Sequence, residues 1–374
     1  MVKNFVIMVW RRVLLFFFLL LLQEPAASSD EDFLFNGFGC RCPSLRMDGT
    51  AEITSRGLLK LTNSTKLLKG HALYPARLRF KNSPAGKVFS FSTTYAFGII
   101  SDYAQLSGNG IAFVISPSDD LRNNTGSQYM GILSPSTNGN GSNHLVAVEV
   151  DTIYNPDLDD INDNHVGIDV NSMNSVNSST AGYFADGPTP PKGFRNLTLI
   201  SGEPMQVWVD YDGDSMQFNV TLSPLGVAKP GTPLLSSTVN LSGIIHEQMF
   251  VGFSSSTGSF LTSHYILGWS FKMNGEARPL NISSLPSLPR RRTKHSRLAL
   301  ALWVSLAAVL LVLVTIAAGV FVLLRKIKFS ELLEDWEVDY GPHRFSYKQL
   351  YDATGGFKDG GLLGTGGFGK VYRG

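Results

Sequence analysis

The chain has 374 residues, 43% of them hydrophobic, and a formal net charge of +2. This length can hold one large domain with appendages, and the near-zero charge gives no reason to expect a nucleic-acid partner. Hydrophobicity is unevenly distributed, because two segments are far more apolar than the rest.

The first apolar segment is the run VLLFFFLLLL at residues 13–22. Basic residues precede it and small residues follow it, a pattern typical of a secretory signal peptide. A signal-anchor helix is the competing interpretation, but the run is only about half of the roughly 20 residues that a membrane span needs. We therefore predict a signal peptide at residues 1–28, cleaved near residues 27–29.

The chain contains two cysteines, Cys40 and Cys42. A bridge between residues two apart in sequence is geometrically strained, so we do not expect a disulfide framework. In an oxidising compartment the pair would be free, joined in a strained bridge or bonded to another chain. All three alternatives stay open.

Residues 29–275 have the character of an all-β domain. Short apolar or alternating runs lie between clusters of Gly, Pro, Asn and Ser, and no long helical period is present. Such a pattern favours a large antiparallel sandwich. The predicted strands are 87–95, 110–116, 146–150, 165–170, 205–209, 216–222 and 249–254.

Three aspartates in the run WVDYDGDSMQF, Asp210, Asp212 and Asp214, suggest a calcium loop at first sight. Asp212 is followed by Gly213, and this pair between two alternating apolar runs is a strong hairpin signal. We therefore predict a turn rather than a metal site.

Residues 146–172, VAVEVDTIYNPDLDDINDNHVGIDVNS, predict a strand, a polar loop and a second strand. Residues two apart in a strand project to the same face, so Glu149 and Asp151 point the same way and repel unless a cation lies between them. Further donors come from the loop: Asn155, Asp160 and His165.

Two kinds of ion suit this donor set. Carboxylates combined with imidazole suit a transition ion such as manganese, whereas all-oxygen donors that include a backbone carbonyl suit calcium. The alternative is a polar surface hairpin, because Asp and Asn are ordinary turn formers.

The second apolar segment, residues 298–324, contains no charged residue. At about 1.5 Å per residue it is long enough for a tilted membrane crossing, so we predict one transmembrane helix. Residues 276–297, rich in Pro, Ser and basic residues, predict a short extracellular stalk. A juxtamembrane segment is predicted at residues 325–344, with an acidic stretch at residues 329–340.

The signals for membrane orientation disagree. More basic residues precede the span than follow it, which weakly places the N-terminal side in the cytosol. A signal peptide sends that side out instead, and we give it more weight. Glycosylation sequons support this choice, since none follows the span. They lie at Asn63, Asn123, Asn140, Asn177, Asn196, Asn219, Asn240 and Asn281.

Residues 345–374 contain the run GTGGFGKV at residues 364–371. Gly364, Gly366, Gly369 and Val371 fit G-x-G-x-x-G-x-V, the loop that covers the ATP phosphates in protein kinases. Glycine is needed there because phosphate oxygens approach the backbone N–H groups closely. For an isolated pattern of this kind, a flexible loop is the alternative.

The donor order in residues 146–172 resembles the metal-binding segment of the legume (L-type) lectin family. Strand motifs such as FLFNGF at 33–38 and NGIAFVI at 109–115 extend the resemblance along residues 29–275. It implies an all-β, legume-lectin jelly-roll sandwich with structural metal ions and a sugar site at one end.

The resemblance also assigns the ion ligands. Manganese would be bound by Glu149, Asp151, Asp160 and His165. Calcium would be bound by Asp151, the carbonyl of Ile153, Asn155 and Asp160.

The sugar pocket that the resemblance implies is altered in this chain. Asn155 would bond sugar hydroxyls, but Asn109 stands where the family usually has aspartate, which removes a charged acceptor. Gln128 occupies the position of a glycine whose N–H binds sugar, and Ile153 that of an aromatic that often stacks on the ring. These three departures predict weak or no binding of simple monosaccharides.

Residues 345–374 resemble the entry to the kinase domain of plant lectin receptor-like kinases, which combine an L-type lectin ectodomain, one span and a cytosolic Ser/Thr kinase. We therefore expect a single-pass, type I plasma-membrane receptor with its N-terminus outside. Full-length members use ATP with magnesium. The H-R-D and D-F-G motifs are absent here, so we expect this chain alone to be inactive as a kinase.

Two other functions fit the same features. One is a kinase-less membrane lectin acting as a decoy or co-receptor, and the other is a cargo lectin of the secretory pathway. The expected partners are an extracellular glycan or small ligand and the membrane, and a homo-oligomer is among the assemblies considered.

Overall fold

The computed structural model describes residues 32–39, 44–185, 193–289, 294–328 and 345–374, with the main chain alone at 294–299. The predicted signal peptide, both cysteines and residues 329–344 lie outside these ranges. The described residues form two compact units, one within Met1–Arg292 and one within Thr293–Gly374.

The first unit is built from short strands and tight turns. The edge strand Asp32–Phe35 buries alternate residues, as expected when one face packs on a core, whereas central strands such as Phe91–Ser101 and Gly110–Ser116 are buried along their whole length. The strands are β1 (Asp32–Phe35), β2 (Arg46–Gly49), β3 (Glu52–Ile53), β4 (Leu59–Thr62), β5 (Lys69–Leu73), β6 (Leu78–Arg79), β7 (Phe91–Ser101), β8 (Gly110–Ser116), β9 (Val146–Asp151), β10 (His165–Val170), β11 (Asn177–Thr180), β12 (Gly182–Ala185), β13 (Gly193–Asn196), β14 (Met205–Asp212), β15 (Gln217–Pro224), β16 (Leu235–Thr238), β17 (Gln248–Ser256) and β18 (Thr262–Met273). Single 3-10 turns lie at Ser127–Tyr129, Gly141–Asn143, Pro156–Leu158 and Ile282–Ser284.

All of these strands except β12 and β13, which pair only with each other, form two large antiparallel sheets. The first sheet has the order β16-β15-β14-β7-β18-β4-β3, and β1 also pairs with β18. The second sheet has the order β11-β10-β9-β8-β17-β5-β2, and β6 also pairs with β17. Neighbours such as β7 and β18 are distant in sequence, so the sandwich is closed by long-range pairing.

Aromatic side chains fill the space between the sheets. The Trp269 ring centroid lies 4.6 Å from that of Phe33 and 4.8 Å from that of Phe253 on the second sheet. The buried indole N–H donates to Thr93 Oγ1 at 3.0 Å, so its polar group is satisfied. This core fixes the two sheets against each other.

The outer face of the first sheet is covered by residues 277–288, which we call the strap. Leu280 is buried in the strap, and Leu285 and Leu288 pack beside it against apolar side chains of β7 and β18. Gly98 in β7 makes room for the strap, because a Cβ there would overlap the side chain of Leu288. Every residue of β7 is buried, since both of its faces are covered.

The outer face of the second sheet is covered by part of the long segment between β8 and β9. Leu121, Ile132 and Leu133 from this segment pack against Ala112 and Val114 of β8. Outward-facing residues of the second sheet are therefore buried beneath a loop rather than exposed to water.

The second unit begins with α1 (Lys294–Lys328), whose residues Leu300–Lys328 are long and apolar enough to cross a membrane. The predicted span falls within this helix. A short helix follows, α2 (Tyr347–Ala353), begun by a capping box between Ser346 and Gln349. The unit ends, after a 3-10 turn at Asp359–Gly361, in the hairpin β19 (Leu362–Gly366) and β20 (Gly369–Tyr372).

The all-β prediction is confirmed, and two predicted strands coincide with β8 and β10. The strand predicted at residues 87–95 is displaced, because β7 spans Phe91–Ser101. Its pairing with β14 and β18 begins at Phe91. The N–H of Phe89 instead donates to the carbonyl of Phe80 at 2.8 Å.

The turn predicted at Asp212 is confirmed, because β14 ends there and pairs with β15. Asp212 Oδ1 accepts hydrogen bonds from the N–H groups of Asp214 at 2.7 Å and Ser215 at 3.2 Å. The carboxylate is thus used to close the turn, as expected for Asp in this position.

Candidate functional site

The polar loop between β9 and β10 forms the candidate site. In the antiparallel pair of β9 and β10, Asp151 lies opposite His165, and Glu149 lies opposite Gly167. Val148 and Val150 point into the core, so the alternating carboxylates of β9 point to the covered outer face. Gly167 preserves space there, because a Cβ would lie 2.6 Å from Glu149 Oε1.

Three of the predicted metal ligands converge. Ligand atoms of Glu149, Asp160 and His165 all lie within 4.8 Å of one another. His165 Nε2 is 3.4 Å from Glu149 Oε1 and 3.9 Å from Asp160 Oδ1. Its Nδ1 lies 2.8 Å from the carbonyl of Asn162, which makes Nδ1 the donor and leaves Nε2 facing the carboxylates. This arrangement is common in imidazoles that bind metals.

The remaining predicted ligands are linked through the loop backbone. The Ile153 N–H donates to Asp151 Oδ1 at 2.7 Å, and the Asn155 N–H donates to Asp160 Oδ2 at 2.7 Å. The Asn155 amide also donates to the Ile153 carbonyl at 3.3 Å. Leu158, in the 3-10 turn, is buried and anchors the loop to the covered face.

Electrostatics show that the cluster holds an excess of negative charge. Burial raises the pKa of the Asp151 carboxyl well above its usual range, and the charge of Glu149 raises it further. Burial also raises the pKa of Asp160. Burial lowers the pKa of His165, but its hydrogen bond to Glu149 and the neighbouring carboxylates outweigh this, so the net shift is upward. Such a site holds either protons or a cation.

This chemistry fits a bound divalent metal. Carboxylate and imidazole atoms face one another across a gap of ion size, and their aligned charges are relieved by a cation. Among the described residues, this is the one group of three or more His, Cys, Asp or Glu side chains close enough to share an ion.

Sequence reasoning missed two residues beside this cluster. The Ser175 hydroxyl lies 2.8 Å from Glu149 Oε1 and 2.7 Å from Asp169 Oδ1, and Asp169 is fully buried. Burial raises the pKa of Asp169 well above its usual range. Asp169 could have been found from strand alternation with His165, whereas Ser175 follows β10 without a sequence signal.

The predicted sugar-binding residues lie partly together. A Cβ at Gly258 would lie 3.0 Å from Asn109 Oδ1 and 3.7 Å from Ile153 Cδ1, so these side chains border one small space. Asn109 is only 1% exposed, and its Oδ1 has no hydrogen-bond partner among the described residues. Gln128 is half-buried and follows Ser127, whose Oγ would be 3.9 Å from the same Cβ.

The predicted phosphate loop forms the turn of the β19–β20 hairpin, where Gly366 lies opposite Gly369. Gly364, Gly366 and Gly369 do not have positive φ angles, and a Cβ at any of them would meet nothing within 4 Å. The hairpin itself therefore does not require glycine at these positions. Val371, the last residue of the motif, is exposed.

All eight predicted glycosylation sites belong to the first unit. Asn63, Asn177 and Asn219 are half-buried, and the other five are exposed. Their accessibility is compatible with attached glycans.

Comparisons with known proteins agree with this description. The family model for the legume lectin domain matches residues 30–287. The chain is 52% identical over 347 residues to the L-type lectin-domain containing receptor kinase SIT2 of Oryza sativa subsp. japonica, covering 92% of this chain and 51% of that protein. It is 48% identical over 344 residues to L-type lectin-domain containing receptor kinase V.9 of Arabidopsis thaliana, with 92% and 50% coverage. The chain thus spans about half the length of these relatives.

Among solved structures, lectin UEA-II in complex with galactose superimposes with a TM-score of 0.55 at 28% identity. The match covers 66% of this chain and all of that one. It extends the sequence similarity to the arrangement of the sandwich.

Proposed function

The chain belongs to the legume lectin domain family, and from this premise we propose that its first unit binds a carbohydrate or another small extracellular ligand within a receptor of the kinase type. The observation that carries the proposal is the cluster of Glu149, Asp160 and His165 in the same hairpin as Ile153, which borders a small space together with Asn109. A loop held in this way can present fixed hydrogen-bonding groups to a ligand.

The proposed ions are manganese and calcium. Manganese would be held by Glu149, Asp151, Asp160 and His165. Calcium would be held by Asp151, the Ile153 carbonyl, Asn155 and Asp160. When bound, the ions supply positive charge that offsets the buried carboxylates. The loop hydrogen bonds from Ile153 and Asn155 already bring the oxygen donors close together.

The proposed ligand site lies next to the ions and consists of Asn109, Gln128 and Asn155. Burial of Asn109 and the side chain at Gln128 restrict this space. Tyr154 lies in the same loop, is 53% exposed and offers an aromatic face for stacking. We expect weak or no binding of simple monosaccharides and better binding of larger ligands that reach Tyr154.

The proposed location is the plasma membrane, with the lectin unit outside and α1 crossing the bilayer. The signal-peptide pattern and the sequons of the first unit support this orientation. Gly364, Gly366, Gly369 and Val371 would then belong to the cytosolic ATP loop of a kinase domain like that of the relatives, with magnesium as its metal.

A glycan array tests the proposed function. Labelled full chain in detergent micelles, loaded with calcium and manganese, should bind some oligosaccharides and bind simple monosaccharides weakly or not at all. EDTA should abolish the signal, because the loop loses its ions. Tyr154→Ala should weaken binding, whereas Ile161→Ala, which removes another exposed apolar side chain of the loop, should not. Strong mannose or glucose binding would contradict the restricted pocket, and EDTA-resistant binding would contradict the metal-held loop.

A further inference from the structure

Residues 127–133, which we call the Gln128 loop, are held by hydrogen bonds from side chains of the second sheet. Three neighbouring side chains on the outer face of that sheet contact three main-chain carbonyls of the loop. They are Ser256 Oγ to the Ser127 carbonyl at 2.6 Å, Ser254 Oγ to the Met130 carbonyl at 2.5 Å, and His71 Nε2 to the Gly131 carbonyl at 2.9 Å.

The loop needs such support because its backbone is unusual. Ser127 and Met130 have φ values of 57° and 47°, and Gly131 has a φ of 76°. Positive φ is costly for residues that carry a side chain and persists only where neighbours hold it. At Gly131 a side chain is also excluded by His71, since a Cβ would lie 2.6 Å from Nε2.

His71 differs from the two serines because it can change its charge. It lies opposite Asp48 in the β2–β5 pair, and its Nδ1 contacts Asp48 Oδ1. Its side chain is 1% exposed. One ring nitrogen therefore faces a carboxylate and the other faces the Gly131 carbonyl, and both of these groups accept hydrogen bonds. Only the imidazolium form donates from both nitrogens.

Charged groups approach His71 from several elements. On its own strand Lys69 is engaged with the carbonyls of Arg122 and Asn124, and β2 contributes the Asp48 carboxylate. The segment before the loop contributes Asp120 and Arg122, which pair with each other at 2.7 Å. From β17 the neighbour is the uncharged Ser254, and the Gln128 loop contains no Asp, Glu, Lys, Arg or His.

We propose that His71 is a positioning residue for the ligand pocket, and that its imidazolium form bridges Asp48 to Gly131 and holds the Gln128 loop in place. Loss of its proton leaves one ring nitrogen lone pair facing an oxygen, so the bridge opens. The loop is then fixed at low pH and loosens as pH rises. The consequence for ligand binding rests on the proposed function, because Gln128 belongs to the proposed pocket.

Two measurements on the full chain in detergent micelles test this proposal without any ligand. The first is ¹⁵N NMR of the ring nitrogens of the seven histidines from pH 5 to 9, with His71→Gln used to assign the signal. The second is hydrogen exchange of the Gln128 loop over the same range, corrected for the intrinsic effect of pH. We expect a charged ring at pH 5, and about tenfold weaker loop protection above the pH at which that ring loses its proton.

Matched variants separate positioning from general stability. His71→Gln should give weak loop protection at every pH, while exchange in β9 stays unchanged. Ser254→Ala removes the hydrogen bond from an uncharged hydroxyl to the neighbouring Met130 carbonyl. It should therefore lower loop protection by the same factor at every pH and leave the pH dependence of that protection unchanged. A neutral His71 ring at pH 5 would overturn the proposal. The proposal would also be overturned if hydrogen exchange of the Gln128 loop did not change over the pH range in which His71 titrates. An unchanged rate of loop exchange in His71→Gln would overturn it as well. If glycan binding is absent but these results hold, the proposed function fails and the positioning role stands.

Discussion

Asp151 is the residue at which burial and charge conflict most directly. It is 1% exposed, and burial together with the charge of Glu149 raises its pKa. A carboxyl whose pKa is higher in the folded than in the unfolded state binds its proton more tightly when folded. Without metal, Asp151 therefore contributes most to the stability of the fold at low pH. That contribution declines as the pH rises above the pKa that the carboxyl has in the unfolded state.

Asp151→Asn should have opposite effects with and without metal. In EDTA at pH 7.5 the substitution removes a buried negative charge, so we expect unfolding free energy to rise by roughly 1–3 kcal/mol. This gain should shrink as pH falls, because the wild-type carboxyl becomes protonated. With calcium and manganese the substitution should lower the melting temperature and reduce its response to EDTA, since a charged ligand is lost.

The control for this experiment is Asp157→Asn. Asp157 lies in the same loop but is exposed, so its replacement should change melting little in either buffer. Equal effects of Asp151→Asn with and without metal ions would contradict the assignment of Asp151 as a ligand.

At the scale of elements, the β9–β10 hairpin was predictable because its signals are local. Alternating apolar residues place Glu149 and Asp151 on one face, and the strand bounds differ from the predicted ones by no more than one residue. The strap was harder to foresee. Its leucines are separated by Pro and Ser without a helical or strand period, and β7, which it covers together with the preceding strand β18, is distant in sequence.

The space that Gly98 leaves for Leu288 beneath the strap leads to a second prediction. Gly98→Ala should displace Leu288, because the new methyl group overlaps the leucine side chain. We expect faster hydrogen exchange in residues 285–289 and a loss of about 1 kcal/mol in unfolding free energy. The cost should be modest because a flexible side chain, rather than the backbone, must move.

Gly243→Ala provides the matched control. A Cβ at Gly243 meets nothing within 4 Å, and its φ is not positive. This variant should leave strap exchange unchanged. If hydrogen exchange of the strap in Gly98→Ala matches that of the wild type, the packing of Leu288 does not depend on the absence of a side chain at residue 98.

At the scale of the whole molecule, sequons and the apolar helix bear on the same question of orientation. The sequons all lie in the first unit, before α1. A peptide N-glycosidase should therefore lower the apparent mass of the full chain expressed in eukaryotic cells. Protease added to sealed vesicles with the cytosolic side enclosed should remove the first unit and leave an epitope at residues 345–374 intact.

Asp352→Asn is the informative control for orientation. It creates the sequon N-A-T at an exposed position after α1. We expect no additional glycan there, whereas Asn196→Gln and Asn240→Gln should each remove one. Glycosylation at residue 352 would reverse the proposed topology.

Across the whole molecule, features whose residues lie close together in the sequence were easier to predict than contacts between residues far apart in it. The proposed ion ligands lie within one hairpin, and their donor order alone identified them as candidates. His71 and Ser254 act on the Gln128 loop from strands far away in sequence. Their contacts depend on the register of β5 with β17, which local patterns do not reveal.

The way in which the Gln128 loop is held has a consequence for its capacity to change. The side chains of Ser256, Ser254 and His71 contact main-chain carbonyls, which every amino acid provides. These contacts therefore do not depend on which side chain is present at residue 128. On the proposed function, in which Gln128 borders the ligand site, substitutions there would alter ligand preference while the loop keeps its shape. A library varied at Gln128 would then sample new specificities on an unchanged main-chain framework.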